Sequence, residues 1–200
     1  MMRAAVLVLS FVVSAAPLVA QDVNPSMPQA RPKVNARIGF RSSVALLRGS
    51  SQITSSEFDD SQDRLSGWAD NYSVGYYINR SISIDVDVST LYGSVEDGKQ
   101  RDYNVLVGLT AYPIATNGFY LSGGVGRSRT VATVDGETLE VTGAAYSVSA
   151  GFDIPIQAEF SVSPFVRYMG STGGGFYFNG SKVGDANVNQ AQLGLALRWH

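Results

Sequence analysis

The chain of 200 residues contains no cysteine and one histidine, His200. Without cysteine it can form neither a disulfide framework nor a cysteine-ligated zinc site, and it cannot carry a lipidated cysteine anchor. With one imidazole, the catalytic dyads and metal sites that depend on histidine lose their main ligand. We therefore expect no catalytic residues, no metal and no cofactor, and a protein that is not an enzyme. Charged residues make up 16% of the chain and the formal net charge is −2, which gives no basic footprint for nucleic acid.

Long apolar runs are also scarce, and the clearest one lies at the N-terminus. A short positive start at Met1–Arg3 precedes an apolar run over Ala4–Val13, and small residues follow up to Ala20. This run is too short to cross a membrane as a helix, and the order is that of a secretory signal peptide. We predict a signal peptide over residues 1–20, removed during export across the inner membrane.

The next segment is rich in proline. Pro25, Pro28 and Pro32 stand among polar residues, a composition typical of an extended linker. We predict a periplasmic linker over residues 21–33, followed by one domain over residues 34–200.

From residue 35 onward the sequence alternates between apolar and polar residues. Ile82–Val88 is the clearest of eight such segments, because its even positions are β-branched and its odd positions are polar. Only a strand separates such a pattern onto two faces. No helical periodicity competes with it, so the sequence predicts an all-β fold of eight antiparallel strands.

Two further features favour a barrel in a membrane over a soluble sandwich. The polar face is rich in glycine and serine, and the apolar face ends in aromatic residues, as lipid-facing strands do. These aromatic residues are Trp68, Tyr92, Tyr103, Phe119, Tyr168 and Trp199. The predicted connections also alternate in length, with longer outer loops at 48–67, 93–100, 130–141 and 170–186 and short periplasmic turns such as 79–81. We therefore expect an up-and-down transmembrane β-barrel whose first and fourth outer loops are the largest, with Gly173–Gly175 at a flexible loop tip.

The charged residues of the strands fall mostly on the small-polar face. An arginine or lysine on the lipid face near the midplane would cost about 2–4 kcal/mol, so this sorting is expected of a membrane barrel. We predict that four bases and four acids form ion pairs that fill a narrow lumen, since eight strands leave just enough room for side chains. The alternative is a path for protons or ions. The eight predicted lumen residues are Arg37, Arg41, Asp85, Asp87, Asp102, Asp153, Arg167 and Arg198.

The last strand resembles the C-terminal signal of outer-membrane barrels. Gln192, Gly194, Leu197 and Trp199 occupy the polar, glycine, apolar and aromatic places of that signal, which implies recognition by the barrel assembly machinery. His200 departs from the pattern, because the signal usually ends on the aromatic residue.

The whole chain from about residue 34 resembles the eight-stranded outer-membrane barrels of the OmpX, OmpA-barrel and opacity-protein group. Phe119–Gly126 and Phe165–Tyr168 are similar to strand signatures common in that group. Pro164 directly precedes Phe165 in the same predicted strand. A closed barrel has no edge strand where a residue without a backbone N–H is tolerated, so we expect a bulge at Pro164 or the start of the strand there.

This resemblance implies a Gram-negative cell-surface protein in contact with outer-membrane lipid and lipopolysaccharide. It would act through its extracellular loops in adhesion to a host or surface ligand, or in envelope structure. A small porin-like channel is the alternative function. An outer-membrane enzyme is the weakest hypothesis, because Asp85 and Asp87 are expected to be buried among arginines, out of a substrate's reach. A soluble lipocalin-like binder would reveal itself by solubility without detergent.

Overall fold

The computed structural model describes residues 37, 39–55, 65–95, 98–114, 117–134 and 136–200. Within these ranges the regular structure consists of nine β-strands. Their bounds are β1 (Gly39–Ser55), β2 (Leu65–Asn79), β3 (Ile82–Val95), β4 (Gly98–Ala111), β5 (Phe119–Val134), β6 (Glu137–Phe152), β7 (Ile154–Pro155), β8 (Phe160–Phe178) and β9 (Ser181–Trp199). No membrane-spanning helix occurs among the described residues. The predicted signal peptide and linker lie outside the described residues.

The strands close into a barrel of eight staves. Consecutive strands pair antiparallel from β1 to β6, β8 pairs with β9, and β9 pairs back with β1. The ladder between β6 and β8 closes the remaining gap. After Asp153 the two-residue strand β7 also pairs with β8, so β6 and β7 together form one stave. The predicted eight-stranded, antiparallel, up-and-down barrel is therefore confirmed.

The period-two pattern separates the two faces of every strand as the sequence predicts. In β1, Phe40 and Leu46 are exposed on the outer surface, whereas Arg41, Ala45 and Leu47 are buried in the lumen. Apolar side chains cover the outside of the barrel and polar ones line much of its inside. This inversion of a soluble core is expected where lipid is the solvent.

The two ends of the barrel differ. At the end where β1 begins and β9 finishes, called here the terminal end, short connections follow β2 and β7. At the opposite end, called the hairpin end, the ladders run almost to the turns. The last residue pairs there are Ser51 with Leu65, Val95 with Gly98, Val134 with Glu137, and Phe178 with Ser181.

The prediction of long loops is therefore wrong for three of the four connections at the hairpin end. Most of 93–100, 130–141 and 170–186 is strand, and only 56–64 of the first predicted loop lies outside the described residues. The strands have 14 to 19 residues if β7 is left aside, more than the 9–11 that span a bilayer. The strands continue to pair beyond the apolar outer band because cross-strand hydrogen bonds do not require apolar side chains on the outer face.

Gly173–Gly175 lies within β8 and does not form a loop tip, which corrects the sequence prediction. The turn falls instead at Asn179-Gly180, where both residues have positive φ (47° and 84°). An Asn-Gly pair of this kind favours a two-residue hairpin turn, and this signal was present in the sequence. Gly173, with φ of 61°, lies in an irregular stretch where the β8–β9 register shifts between Gly170 and Gly174.

Pro164 lies well inside β8, so the strand does not begin there. It is opposite Leu195 of β9, while the ladder to β6 stops at Phe165 and resumes with β7 at Val162. The missing N–H of proline therefore coincides with the interruption between β6 and β7. Asp153 occupies this interruption, and its backbone N–H donates to the Gly118 carbonyl at 2.9 Å.

Candidate functional site

Two rings of aromatic side chains surround the outer surface. Toward the terminal end, Phe40 packs edge-to-face on Tyr76 with ring centroids 5.3 Å apart, and Phe160 stacks on Trp199 at 5.5 Å. Nearer the hairpin end, Trp68 pairs with Tyr92, and Tyr103, Tyr146 and Tyr168 extend the second ring.

Exposed aliphatic side chains fill the belt between the rings. The stretch of β1 from Phe40 to Arg48 has about nine residues, which matches the length of a membrane-spanning strand. Aromatic girdles on either side of an apolar band define a transmembrane β-barrel.

An ion pair crosses the lumen between opposite strands. The guanidinium of Arg167 on β8 donates to both carboxylate oxygens of Asp87 on β3, at 3.2 and 2.9 Å. Three staves separate β3 from β8 in either direction around the barrel, so this pair spans the full width of the lumen. Both side chains are largely buried.

A second ion pair lies closer to the terminal end. Arg41 Nε donates to Asp85 Oδ1 at 2.5 Å, and the other guanidinium nitrogens of Arg41 reach Thr110 and Tyr112. Thr110 also donates to Asp85 Oδ2 at 2.7 Å. The carboxylate of Asp85 is therefore neutralised and hydrogen-bonded on both oxygens.

Asp153 gathers several donors at the terminal end. Arg198 donates to Oδ1 at 3.3 Å, Tyr112 donates to Oδ2 at 2.9 Å, and Arg37 lies 3.8 Å from Oδ2. The arginines also pack on aromatic faces, with Arg37 Cζ 3.5 Å from the Tyr112 ring centroid and Arg198 Cζ 3.8 Å from that of Tyr120. This packing seals the terminal end with buried cation–π contacts.

His200, which the sequence analysis treated as a departure from a motif, belongs to this seal. Its Nδ1 lies 2.7 Å from the Tyr77 hydroxyl, and its Nε2 lies 2.7 Å from Ser161 Oγ. The signal was available, because alternation through Arg198 and Trp199 places residue 200 on the inward face. Ser161 is fully buried, so this serine–histidine pair acts as a structural contact with no open approach for a substrate.

Asp102 does not join the network that the sequence predicts for it. Its two oxygens accept hydrogen bonds from the side-chain amides of Gln100 and Gln190, both at 2.9 Å. No arginine or lysine lies within 4 Å of it in the part of the chain that the structure describes. The structure therefore brings together seven of the eight predicted lumen charges in three groups and leaves Asp102 apart, closer to the hairpin end.

Apolar side chains close the lumen beyond Asp102. Val141, Phe176, Ala186 and Val188 form a buried cluster, called here the apolar cap, and Ile53 and Leu139 pack against it. Aromatic and ionic contacts thus lie across the lumen at the terminal end, and the apolar cap lies inside it near the hairpin end.

The four residues that resemble an assembly signal divide between the two faces of β9. Gln192 is buried in the lumen and donates to Gln190 at 3.1 Å. Gly194 faces inward, where a Cβ would approach the Leu47 side chain to 2.7 Å. Leu197 and Trp199 are exposed on the lipid-facing side. Recognition by the assembly machinery remains a prediction.

The donor set of the lumen does not suit a metal ion. Among the described residues no three histidine, aspartate or glutamate side chains lie together as a possible metal site. The carboxylates of the lumen are bonded to guanidinium, amide and hydroxyl groups instead. The chemistry that this arrangement supports is charge compensation across a narrow barrel.

Solved structures share this fold. No family model and no curated protein sequence matches the chain. Neisserial surface protein A is 17% identical, with a TM-score of 0.55 over 79% of this chain and 96% of that one. Ail, the attachment invasion locus protein of Yersinia pestis, is 18% identical, with a TM-score of 0.51 over 81% of this chain and 99% of that one. The fold is that of the eight-stranded bacterial outer-membrane barrels, as the sequence resemblance implied.

Proposed function

We propose that the protein is a non-enzymatic surface barrel of a Gram-negative outer membrane, exported with a cleaved signal peptide and inserted by the barrel assembly machinery. Its lumen is closed to solutes, and its hairpin end faces outward to meet a host or surface ligand or to support the envelope. The observation that carries this proposal is the cross-lumen pair of Asp87 and Arg167, flanked by a seal on each side.

Conductance across a planar bilayer tests the closed lumen. The refolded barrel should insert without stable single-channel openings, and a heat-dependent gel shift would verify that the inserted protein is folded. Steady openings from folded protein would overturn the closed lumen and favour the alternative, a small channel. The observation that favours this alternative is a cavity of about 40 Å³ lined by serine, glycine and charged residues near the middle of the lumen.

Outward-facing arginines support contact with lipopolysaccharide. Arg101 pairs with Tyr92 and Arg129 pairs with Tyr103 across neighbouring strands. Both pairs lie at the belt of aromatic residues nearer the hairpin end. Arg129 is paired with Glu140 at 2.8 Å, but no carboxylate lies within 4 Å of Arg127 among the described residues. A cation at the edge of the apolar band gains from an anionic lipid headgroup, so we propose that these arginines bind the phosphates of lipopolysaccharide.

Lipopolysaccharide binding can be measured on the refolded protein in detergent. A variant carrying Arg101→Gln and Arg127→Gln should bind lipopolysaccharide about thirtyfold more weakly, since each of the two lost contacts is worth about 1 kcal/mol near a charged membrane surface. Arg80→Gln is the matched control, because Arg80 is exposed at the terminal end. Equal weakening in both variants, or none in either, would refute the assigned position.

A further inference from the structure

Asp102 is a fully buried carboxylate surrounded by neutral side chains. It is 0% exposed, and no arginine or lysine lies within 4 Å of it among the described residues. Its strand partners are Leu91 on β3 and Thr130 on β5. Ser51 on β1 and Gln190 on β9 join it through hydrogen bonds. An ionised carboxylate at this place would therefore have no compensating charge beside it.

The charged side chains nearest to Asp102 in the chain point away from the lumen. Lys99 and Arg101, on the same strand, are exposed on the outer surface. The ion pair of Asp87 and Arg167 lies further toward the terminal end, and its two members neutralise each other. From this pair to the hairpin end, the inward side chains of the described residues on all eight staves are uncharged apart from Asp102.

Apolar side chains lie on both sides of Asp102 along the lumen. Toward the terminal end, Leu106 is the strand partner of Asp87 and belongs to a buried apolar cluster. The members of this cluster are Leu106, Ala145 and Met169. Toward the hairpin end, Val141 of the apolar cap is the strand partner of Thr130. A carboxyl group in such surroundings favours its neutral form, because removing the charged form from water costs far more.

The hydrogen bonds around Asp102 fit a protonated carboxyl group. Gln100 Nε2 lies 2.9 Å from Asp102 Oδ1 and 3.3 Å from Ser51 Oγ, and Gln190 Nε2 donates to Asp102 Oδ2 at 2.9 Å. A half-turn of the Gln100 amide exchanges the places of its nitrogen and its oxygen. The oxygen then accepts from the carboxyl O–H of Asp102 and from the hydroxyl of Ser51, while Gln190 still donates to Oδ2. The neutral acid therefore keeps all three contacts without any movement of the strands.

We propose that Asp102 keeps a proton in the folded barrel at neutral pH, and that the loss of this proton at alkaline pH opens the apolar cap. The proton comes from the surrounding water and returns to it. An ionised Asp102 requires water around it. The cluster of Leu106 and the ion pair of Asp87 and Arg167 separate it from the terminal end, so water reaches it through the apolar cap. The inference goes beyond the proposed surface function, since it makes the hairpin end of a closed barrel sensitive to pH.

Equilibrium unfolding of the refolded barrel at different pH values tests the bound proton. Asp102→Asn keeps the shape of the side chain and cannot ionise. Unfolded aspartate loses its proton above about pH 4, whereas the folded barrel keeps it. The unfolding equilibrium constant of the unaltered barrel, divided by that of Asp102→Asn, should therefore rise about tenfold per pH unit between about pH 4 and pH 7. A ratio that stays constant or falls over this range would overturn the proposal.

Infrared spectroscopy of the unaltered barrel detects the proton directly and does not depend on the folding of a variant. At neutral pH the spectrum should contain the carbonyl band of a protonated carboxyl group, and Asp102→Asn should lack this band. Absence of the band from the unaltered barrel refutes the bound proton, and so does a band of equal intensity in Asp102→Asn.

Opening of the apolar cap is measured with a thiol reagent. The chain has no cysteine, so Val188→Cys introduces a single thiol at a buried position of the cap. Asn187→Cys, at the exposed neighbouring position, is the matched control. The rate of Val188→Cys relative to Asn187→Cys should rise about tenfold per pH unit until half of Asp102 is ionised, and added Asp102→Asn should remove this rise. A constant relative rate, or a rise that persists with Asp102→Asn, would refute the link between the proton and the cap.

Discussion

Asp87 and Arg167 are 80 residues apart in the chain and meet across the full width of the barrel, with hydrogen bonds of 3.2 and 2.9 Å. The pair joins two strands that share no backbone ladder. It therefore couples opposite walls of the lumen and restricts the space between them.

Removing one partner of this pair should cost more than removing both. Arg167→Ala leaves the buried carboxylate of Asp87 without its partner, so the free energy of unfolding should fall by about 3–5 kcal/mol. The double variant with Asp87→Ala should recover part of that loss, because no unpaired charge remains. Urea unfolding of the refolded barrel, followed by tryptophan fluorescence, measures both values, and additive losses would contradict the coupling.

The depth of an outward residue should set the cost of placing a charge there. Val107 lies in the middle of the apolar band with its side chain exposed on the outer surface, so Val107→Arg should lower the free energy of unfolding in bilayers by about 2–4 kcal/mol. Ser66→Arg is the matched control. Ser66 lies on the hairpin-end side of the belt of aromatic residues that contains Trp68, so the expected cost is about 0–1 kcal/mol. Equal costs at the two positions would place the membrane band elsewhere.

The seal at the terminal end should depend on the imidazole of His200. His200→Ala deprives the buried hydroxyls of Tyr77 and Ser161 of their partner, and we expect a loss of about 1–3 kcal/mol. Glu159→Ala, at an exposed position nearby, should change stability little. The measurement is again equilibrium unfolding, and a His200→Ala barrel as stable as the Glu159→Ala control would show that the seal does not need the ring.

Opening the apolar cap alone should not make the barrel conduct. Phe176→Ala removes a buried ring from the cap and should cost about 3–5 kcal/mol, whereas Phe178→Ala, at an exposed site, should cost much less. Neither variant should give single-channel currents, because the pair of Asp87 and Arg167 still blocks the lumen. Currents from Phe176→Ala at the level of a water-filled pore would make the cap the main barrier.

The sequence alone determined the two faces of each strand. Whether a side chain faces lipid, as Val86 does, or the lumen, as Asp85 does, depends on its own polarity and on strand geometry. The period-two alternation of the sequence therefore predicts the face directly. For the same reason the eight lumen charges, the aromatic residues of the rings and the eight staves could be predicted. The strand ends could not be predicted, since the outer halves of β5, β6, β8 and β9 lack a regular alternation of apolar and polar residues and only their pairing partners reveal them as strand.

The tertiary structure decided which lumen residues meet. Pairing of Asp87 with Arg167 and the isolation of Asp102 depend on the stagger of the closed sheet, which accumulates over all eight ladders and leaves no local mark in the sequence. The role of His200 likewise exists only because β9 returns beside β1 and brings the ring to Tyr77. Side-chain polarity and strand geometry thus determine which face each residue occupies, whereas the closure of the barrel determines which residues are in contact across the lumen.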